Sequence, residues 1–212
     1  HPLYILVENQ INDAAFLRRV MPPVWRNKLF LWKKNGELRF ENGGGITVMR
    51  ALIEYHSQNN NSELTFGAPF IIWHLAHFII YDHDGQQANT PGENTRLLDQ
   101  TCDTLNMKTR SHRLARRTQE NYLPIEAMRE IVKEKFTDPI TQTQMLKAID
   151  AYAAKGKDRF FADTPTNSAT SYFKNPFTLE EQPNNNWSDD WFESDGAWPE
   201  MTELAEKIAA TI

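Results

Sequence analysis

Two short apolar runs, each ending in a carboxylate, constrain this chain more than any other feature. Leu3-Tyr-Ile-Leu-Val7 runs into Glu8, and Phe78-Ile-Ile-Tyr81 runs into Asp82-His83-Asp84-Gly85. A short run without polar alternation is buried on both faces, the pattern of a central strand in a parallel sheet. Parallel strands need crossover connections, and helical spacing follows both runs. Asn12 or Asp13 is placed to cap a helix carrying Ala15, Phe16, Val20 and Met21, which Pro22-Pro23 ends. Leu29-Phe-Leu-Trp32 reads as a second strand. Gly43-Gly44-Gly45 then leads into a helix from Thr47 to His56, followed by a polar loop at Asn59–Ser62. A loop with Pro91 and Gly92 precedes a helix from Asn94 to Leu105. This alternation predicts an α/β domain with a mainly parallel central sheet flanked by helices. Functional groups in such sheets gather at the carboxyl ends of the strands, where both acidic groups fall.

Past Pro124 the pattern is helical, over Ile125–Phe136 and Thr141–Ala154. From Asp163 to Trp198 the chain is rich in Asn, Asp, Pro, Ser and Trp without periodicity, an irregular arm closed by a helix near Met201–Ala210. The expected organisation is a core at residues 1–136, with residues 137–212 as a helical extension and irregular C-terminal arm of the same domain. No internal repeat is visible. The 212 residues suit one sizeable domain, and a 40% hydrophobic content excludes a disordered chain. A formal charge of −5 argues against a broadly basic surface but leaves room for a local basic stripe. The single Cys102 allows no internal disulfide and fits a reducing, cytoplasmic setting; it reads as a small buried hydrophobe on a helix. The longest apolar run, Pro69–Tyr81, is interrupted by His74 and His77 and falls short of the roughly 20 residues of a membrane span. The first residues, from His1, run directly into a strand pattern and not a secretory signal.

Glu8, Asp82 and Asp84 have the chemistry of a hard-cation site. Oxygen ligands at strand ends suit magnesium, which takes few protein carboxylates and keeps water and phosphate oxygens in its shell. Such an ion polarises a phosphodiester and lowers the pKa of an attacking water. Taken alone, Asp-x-Asp describes a polar strand-end turn equally well.

The wider context resembles a Toprim domain. Leu-Val-Glu8 followed by Asp13-Ala-Ala-Phe-Leu17 is similar to the opening strand, acidic residue and helix of that family. Phe-Ile-Ile-Tyr-Asp82-His-Asp84-Gly85 is similar to its Asp-x-Asp strand, and Gly43-Gly44-Gly45 lies where many members carry a small-residue turn. The resemblance covers about residues 3–136. It departs at Asn9, where the family has a glycine, and the Glu8–Asp13 segment looks one residue longer. Arg116-Arg-Thr-Gln-Glu120-Asn-Tyr-Leu-Pro124 is similar to an element of the OLD-type (overcoming lysogenisation defect) nucleases and their stand-alone relatives. There an acidic residue helps to hold a second metal, a role the resemblance gives to Glu120; the structural alternative is a carboxylate paired with Arg116 or Arg117. Lys155 and Lys157 fall where such nucleases use a lysine against transition-state charge, and an exposed helix end accounts for them equally.

The resemblance therefore implies a Mg2+-dependent (Mn2+ possible) endonuclease or nickase with Glu8, Asp82, Asp84, Glu120 and Lys157 as catalytic residues. It also implies antiviral defence beside a separate ATPase, since no phosphate-loop motif is present in this chain. Lys108, Arg110, His112, Arg113, Arg116 and Arg117 form a dense positive run expected to guide a DNA or RNA backbone, or to be a solvated loop. His74, His77 and His83 lack zinc-ligand spacing; His83 is expected to point away from its acidic neighbours and His74 to sit in the core. Trp187, Trp191, Phe192 and Trp198 stand among acids that repel nucleic acid, which favours self-packing, a homo-oligomer or partner docking. The competing readings are a primase- or topoisomerase-like enzyme and a degenerate Toprim scaffold, which the Asn9 departure keeps open.

Overall fold

The computed structural model describes residues 1–58, 69–165, 173, 177 and 187–212. Four strands, β1 (Leu3–Val7), β2 (Leu38–Asn42), β3 (His77–Tyr81) and β4 (Ser111–Arg113), form one sheet in the order β2-β1-β3-β4. Every pairing is parallel, with Val7 opposite Asn42, Leu6 opposite Ile79 and Tyr81 opposite Arg113. The α/β, parallel-sheet expectation holds.

Nine helices are described: α1 (Gln10–Val20), α2 (Pro23–Lys34), α3 (Ile46–Gln58), α4 (Pro69–Ala76), α5 (Glu93–Thr104), α6 (Ile125–Lys135), α7 (Pro139–Ala153), α8 (Asp189–Ser194) and α9 (Trp198–Ala209). Side chains alternate across the strands and build two cores. On one face Leu3, Ile5, Val7, Phe78 and Ile80 pack with α1, α6, α7 and α9. On the other, Leu6, Ile79 and Tyr81 pack with Met49 and Ile53 of α3 and Leu98 and Cys102 of α5. The expected burial of Cys102 is found, and the thiol is pushed up to about 12 chiefly by that burial.

Leu29–Trp32 is not a strand but the interior of α2. Pro23 supplies a helix-ready φ at the first turn, and Trp25, Leu29 and Trp32 recur at helical spacing against the core. The second strand is instead Leu-Arg-Phe-Glu-Asn at 38–42, where only Leu38 and Phe40 point inward. Helix α1 also starts earlier than Asn12 or Asp13: Asn9 caps it, its side chain accepting from the Ile11 and Asn12 amides at 3.1 and 3.2 Å. Strand β4 lies inside the basic run, and α8 lies inside the segment read as irregular. The Asn59–Ser62 loop and most of the arm between 166 and 186 fall outside the described residues. No described helix is long and apolar enough to cross a membrane.

The tail tryptophans pack on the chain itself. Trp187 and Phe192 are buried in the larger core, with Trp191 and Trp198 against it. Arg19 and Arg26 of α1 and α2 bond to Asp189, and the Arg19 guanidinium lies 5.0 Å from the Phe192 ring centre. Asp195 follows, with both carboxylate oxygens engaged, one by Arg116 and one by Arg159. All three side chains are about a tenth exposed or less. Removing one partner of such a group strands buried charge at a cost of about 3–5 kcal/mol. Asp195→Ala is therefore expected to lower the thermal midpoint by at least 6 °C, at about 2–4 °C per kcal/mol for a chain of this size. A midpoint within a degree of wild type in differential scanning calorimetry contradicts the role of this clamp.

Candidate active site

The chain passes from β1 to β2 on one side and then to β3 on the other, so the carboxyl ends of β1 and β3 flank the point where strand order reverses. Crevices outside such a point are where open α/β sheets bind ligands. Glu8 leaves β1 there and Asp82 leaves β3, and the Asp82 amide donates to Glu8 Oε1 at 3.3 Å. The glycine triplet closes the neighbouring edge. The Gly43 amide donates to the Val7 carbonyl at 2.6 Å, and a Cβ on Gly43 would lie 2.3 Å from Met49 Cγ. Gly44 and Gly45 have φ of 70° and 95°, left-handed values that bring the start of α3 round to Glu8. The Ile46 amide there favours charged Glu8.

Asn9 needs no glycine, because its backbone is extended at φ −136°. Its amide donates to Asp13 Oδ2 at 3.0 Å, while Gln119 Nε2 donates to Asp13 Oδ1 at 2.6 Å. Asp13 thereby enters the site as a fifth carboxylate. Sequence reasoning had used it as a helix cap, and its spacing of five after Glu8 was the available signal. Asn9→Ala is expected to cost about 1 kcal/mol and Asn9→Gly only a few tenths, by chemical denaturation. Equal stability of the three proteins removes the cap from the account.

Glu120 arrives from across the sheet on a tight 3-10 turn, Gln119–Tyr122. Asp84 is exposed at φ 55°, in the left-handed region that Asp tolerates. Its amide donates to the Arg117 carbonyl at 2.8 Å, and the Arg117 amide donates to the Phe160 carbonyl at 2.9 Å. The turn Gly156–Phe161, which carries Lys157, is thus stitched to the Asp-x-Asp loop. His83 points inward, as expected: Nδ1 accepts from the Gly85 amide, Nε2 faces the Ala88 carbonyl, and Phe161 packs edge-on at 5.2 Å. His74 is half-buried, outside both cores.

Electrostatics shows that the acids share one field. Asp82 is held well above the usual carboxylate range, first by burial, then by the charges of Glu8, Glu120, Asp13 and Asp84. Its Oδ1 is buried without a hydrogen-bond partner. Burial and the charges of Asp13 and Asp84 raise Glu8, and burial with Glu120 raises Asp13. Among the described residues no three His, Cys, Asp or Glu side chains are close enough to share one ion as they stand. The donor set nevertheless suits magnesium, which binds through one or two carboxylates and completes its shell with water. The lone Asp82 oxygen, facing repulsion from four acids, is the atom such a cation would satisfy.

No protein-family model, curated protein or solved structure matches this chain.

The basic run does not form one phosphate track. Lys108 and Arg110 enter β4 at its amino end, opposite the acidic edge, and Arg110 donates to the Leu75 carbonyl at 2.7 Å. Arg116 is buried on Asp195, with its guanidinium 3.7 Å from the Phe160 ring centre, so it meets no phosphate. Arg113 pairs with Asp99 and His112 with Glu200. Only Arg117, bonded to the exposed Asp163 at 2.5 Å, stands beside the acidic loop.

Raised carboxylate pKa values make the folded state bind protons more tightly than the unfolded chain. Stability is then lost as pH rises from the ordinary carboxylate range through the raised folded values. Asp82→Asn removes the most affected charge. Without divalent ions it is expected to melt above wild type at pH 7.5, with the gap narrowing toward pH 3.5, where Asp82 is protonated in the folded state and mostly so in the unfolded chain. A gap that stays constant with pH refutes the shared field.

Proposed function

We propose that the chain is a Toprim-type, Mg2+-dependent nuclease or nickase that cleaves nucleic-acid phosphodiester bonds. The observation that carries this reading is the buried, unpartnered Asp82 oxygen at the strand-order reversal, in the electrostatic field of four further carboxylates. Glu8, Asp82 and Asp84 would hold one ion and Glu120, with Asp13 beside it, a second; bound there, magnesium supplies Lewis acidity toward a phosphodiester and lowers the pKa of water. The chain's own groups do the rest. The α3 amino terminus offers Glu8 an amide that partly offsets its burial, Asn9 and Gln119 fix Asp13, and the 3-10 turn presents Glu120. Lys157, exposed on the turn stitched to Asp84, would supply a cation to meet a phosphate. Antiviral defence and a separate ATPase rest on the resemblance alone, since the tail tryptophans are used within the chain.

The test is cleavage of supercoiled plasmid, linear duplex and RNA with and without Mg2+ or Mn2+. Wild type is expected to cut only with metal, and Asp82→Ala and Glu8→Gln to fall below detection while keeping a cooperative melt. Mg2+ should raise the melting temperature of wild type and leave Asp82→Ala unmoved. Full cleavage by Asp82→Ala sinks the assignment. Nucleic-acid binding without cleavage under any metal establishes the scaffold reading.

A further inference from the structure

A second surface, separate from the acidic centre, has its own chemistry. Between Ala14 and Gly36 the sequence carries six cations and no carboxylate, in a chain whose net charge is −5. Arg19 and Arg26 are consumed by Asp189, whereas Arg18, Lys28, Lys33 and Lys34 remain exposed. This segment forms the outward side of α1 and α2, and the two helices and β2 enclose a groove of about 750 Å³. Its floor is apolar: Ala15, Leu29 and Phe40 are buried at the base, with Ile11 and Phe30 standing on either wall. Ile11 is 72% and Phe30 58% exposed, unusual for side chains of that size facing one concavity. The rim is Arg18, Lys33 and Lys34, and among the described residues no acid lines the groove.

We infer that this groove docks an amphipathic helix of a partner protein, apolar on one face and acidic along its flanks. Concavity fits a rod about 10 Å across and not a flat bilayer. The floor is aliphatic apart from Phe30 and Phe40, which suits Leu, Ile or Met knobs at helical spacing and gives successive bases little to stack on. Rim cations with no ion pair among the described residues select Glu and Asp on the docking helix and reject basic ones. The inference does not depend on the chemistry of the acidic centre.

The probe is a synthetic helix of about five turns, with Leu on one face and Glu on both flanks, followed by fluorescence anisotropy. Its lysine-flanked counterpart, a poly-dT oligonucleotide and anionic phosphatidylserine vesicles are the comparisons. The acidic helix is expected to bind. Phe30→Glu and the double change Lys33→Glu, Lys34→Glu should each weaken it about tenfold or more. Ile140→Glu, at another exposed apolar residue, should leave binding unchanged. Because these positions are exposed, all variants should keep the wild-type melt. Sedimentation of the chain alone reports a second copy as occupant. Equal binding of the lysine-flanked helix overturns the inference, as does indifference to Phe30→Glu. So does Phe30-dependent binding of the oligonucleotide or vesicles, or Phe30-dependent dimerisation.

Discussion

One carboxylate, Asp195, holds together parts of the chain that the sheet alone cannot. It binds the guanidinium groups of Arg116 and Arg159 at once, and its carbonyl accepts from Arg116 at 2.7 Å. Arg116 lies just before the turn bearing Glu120, and Arg159 lies in the turn bearing Lys157. The Phe160 ring fills the space between them, 3.7 and 4.5 Å from the two guanidinium carbons. A lone charge at this depth is costly, and a pair repays its desolvation only when geometry is good. Three charged groups sharing two bonded oxygens and one ring meet that condition. Glu200 repeats the device nearby, accepting from the Tyr122 hydroxyl at 2.6 Å and the Ala115 amide at 2.7 Å, while His112 lies at 3.1 Å.

The acidic centre is the opposite case, a place where like charges are gathered and one buried oxygen, Asp82 Oδ1, has no hydrogen-bond partner. Natural chains seldom bury a carboxylate oxygen without a partner, and where they do the strain belongs to function more often than to stability. What compensation exists is aimed at the first acids of the chain. An amide of α3 supports Glu8, and Asn9 and Gln119 support Asp13. Asp82 has no such support for its Oδ1. The gradient from supported to unsupported carboxylates is what distinguishes this cluster from a solvated acidic turn.

The central strands were legible because β1 and β3 lie between two layers and admit almost no polar residue. Their carboxyl ends, and so Glu8 and Asp82, followed directly. Strand β2 was missed because it is an edge strand with two inward side chains, and the stronger apolar run at Leu29–Trp32 belongs to a helix that buries only one side. The arginine run misled for a related reason. Sequence shows that charges are neighbours but not that a three-residue strand sends them to opposite edges, nor that Asp195, 79 positions beyond Arg116, claims one of them. Asp13 was seen as local chemistry, a cap, whereas its partner Gln119 is 106 positions away. Long-range pairing is the information that periodicity does not carry.

The Asp195 and Glu200 contacts have a consequence for when the centre exists. Glu8 and Asp82 leave the ribosome before Glu120, and Glu120 before Asp195 and Glu200. Until Asp195 and Glu200 emerge, Arg116 lacks this anion and Tyr122 this acceptor, so the turn bearing Glu120 has its Gln119–Asp13 and Asn121–Tyr152 bonds but not these two ties. A ribosome stalled before that point carries a nascent chain whose Arg116 guanidinium and Tyr122 hydroxyl lack the anions that hold them in the finished fold.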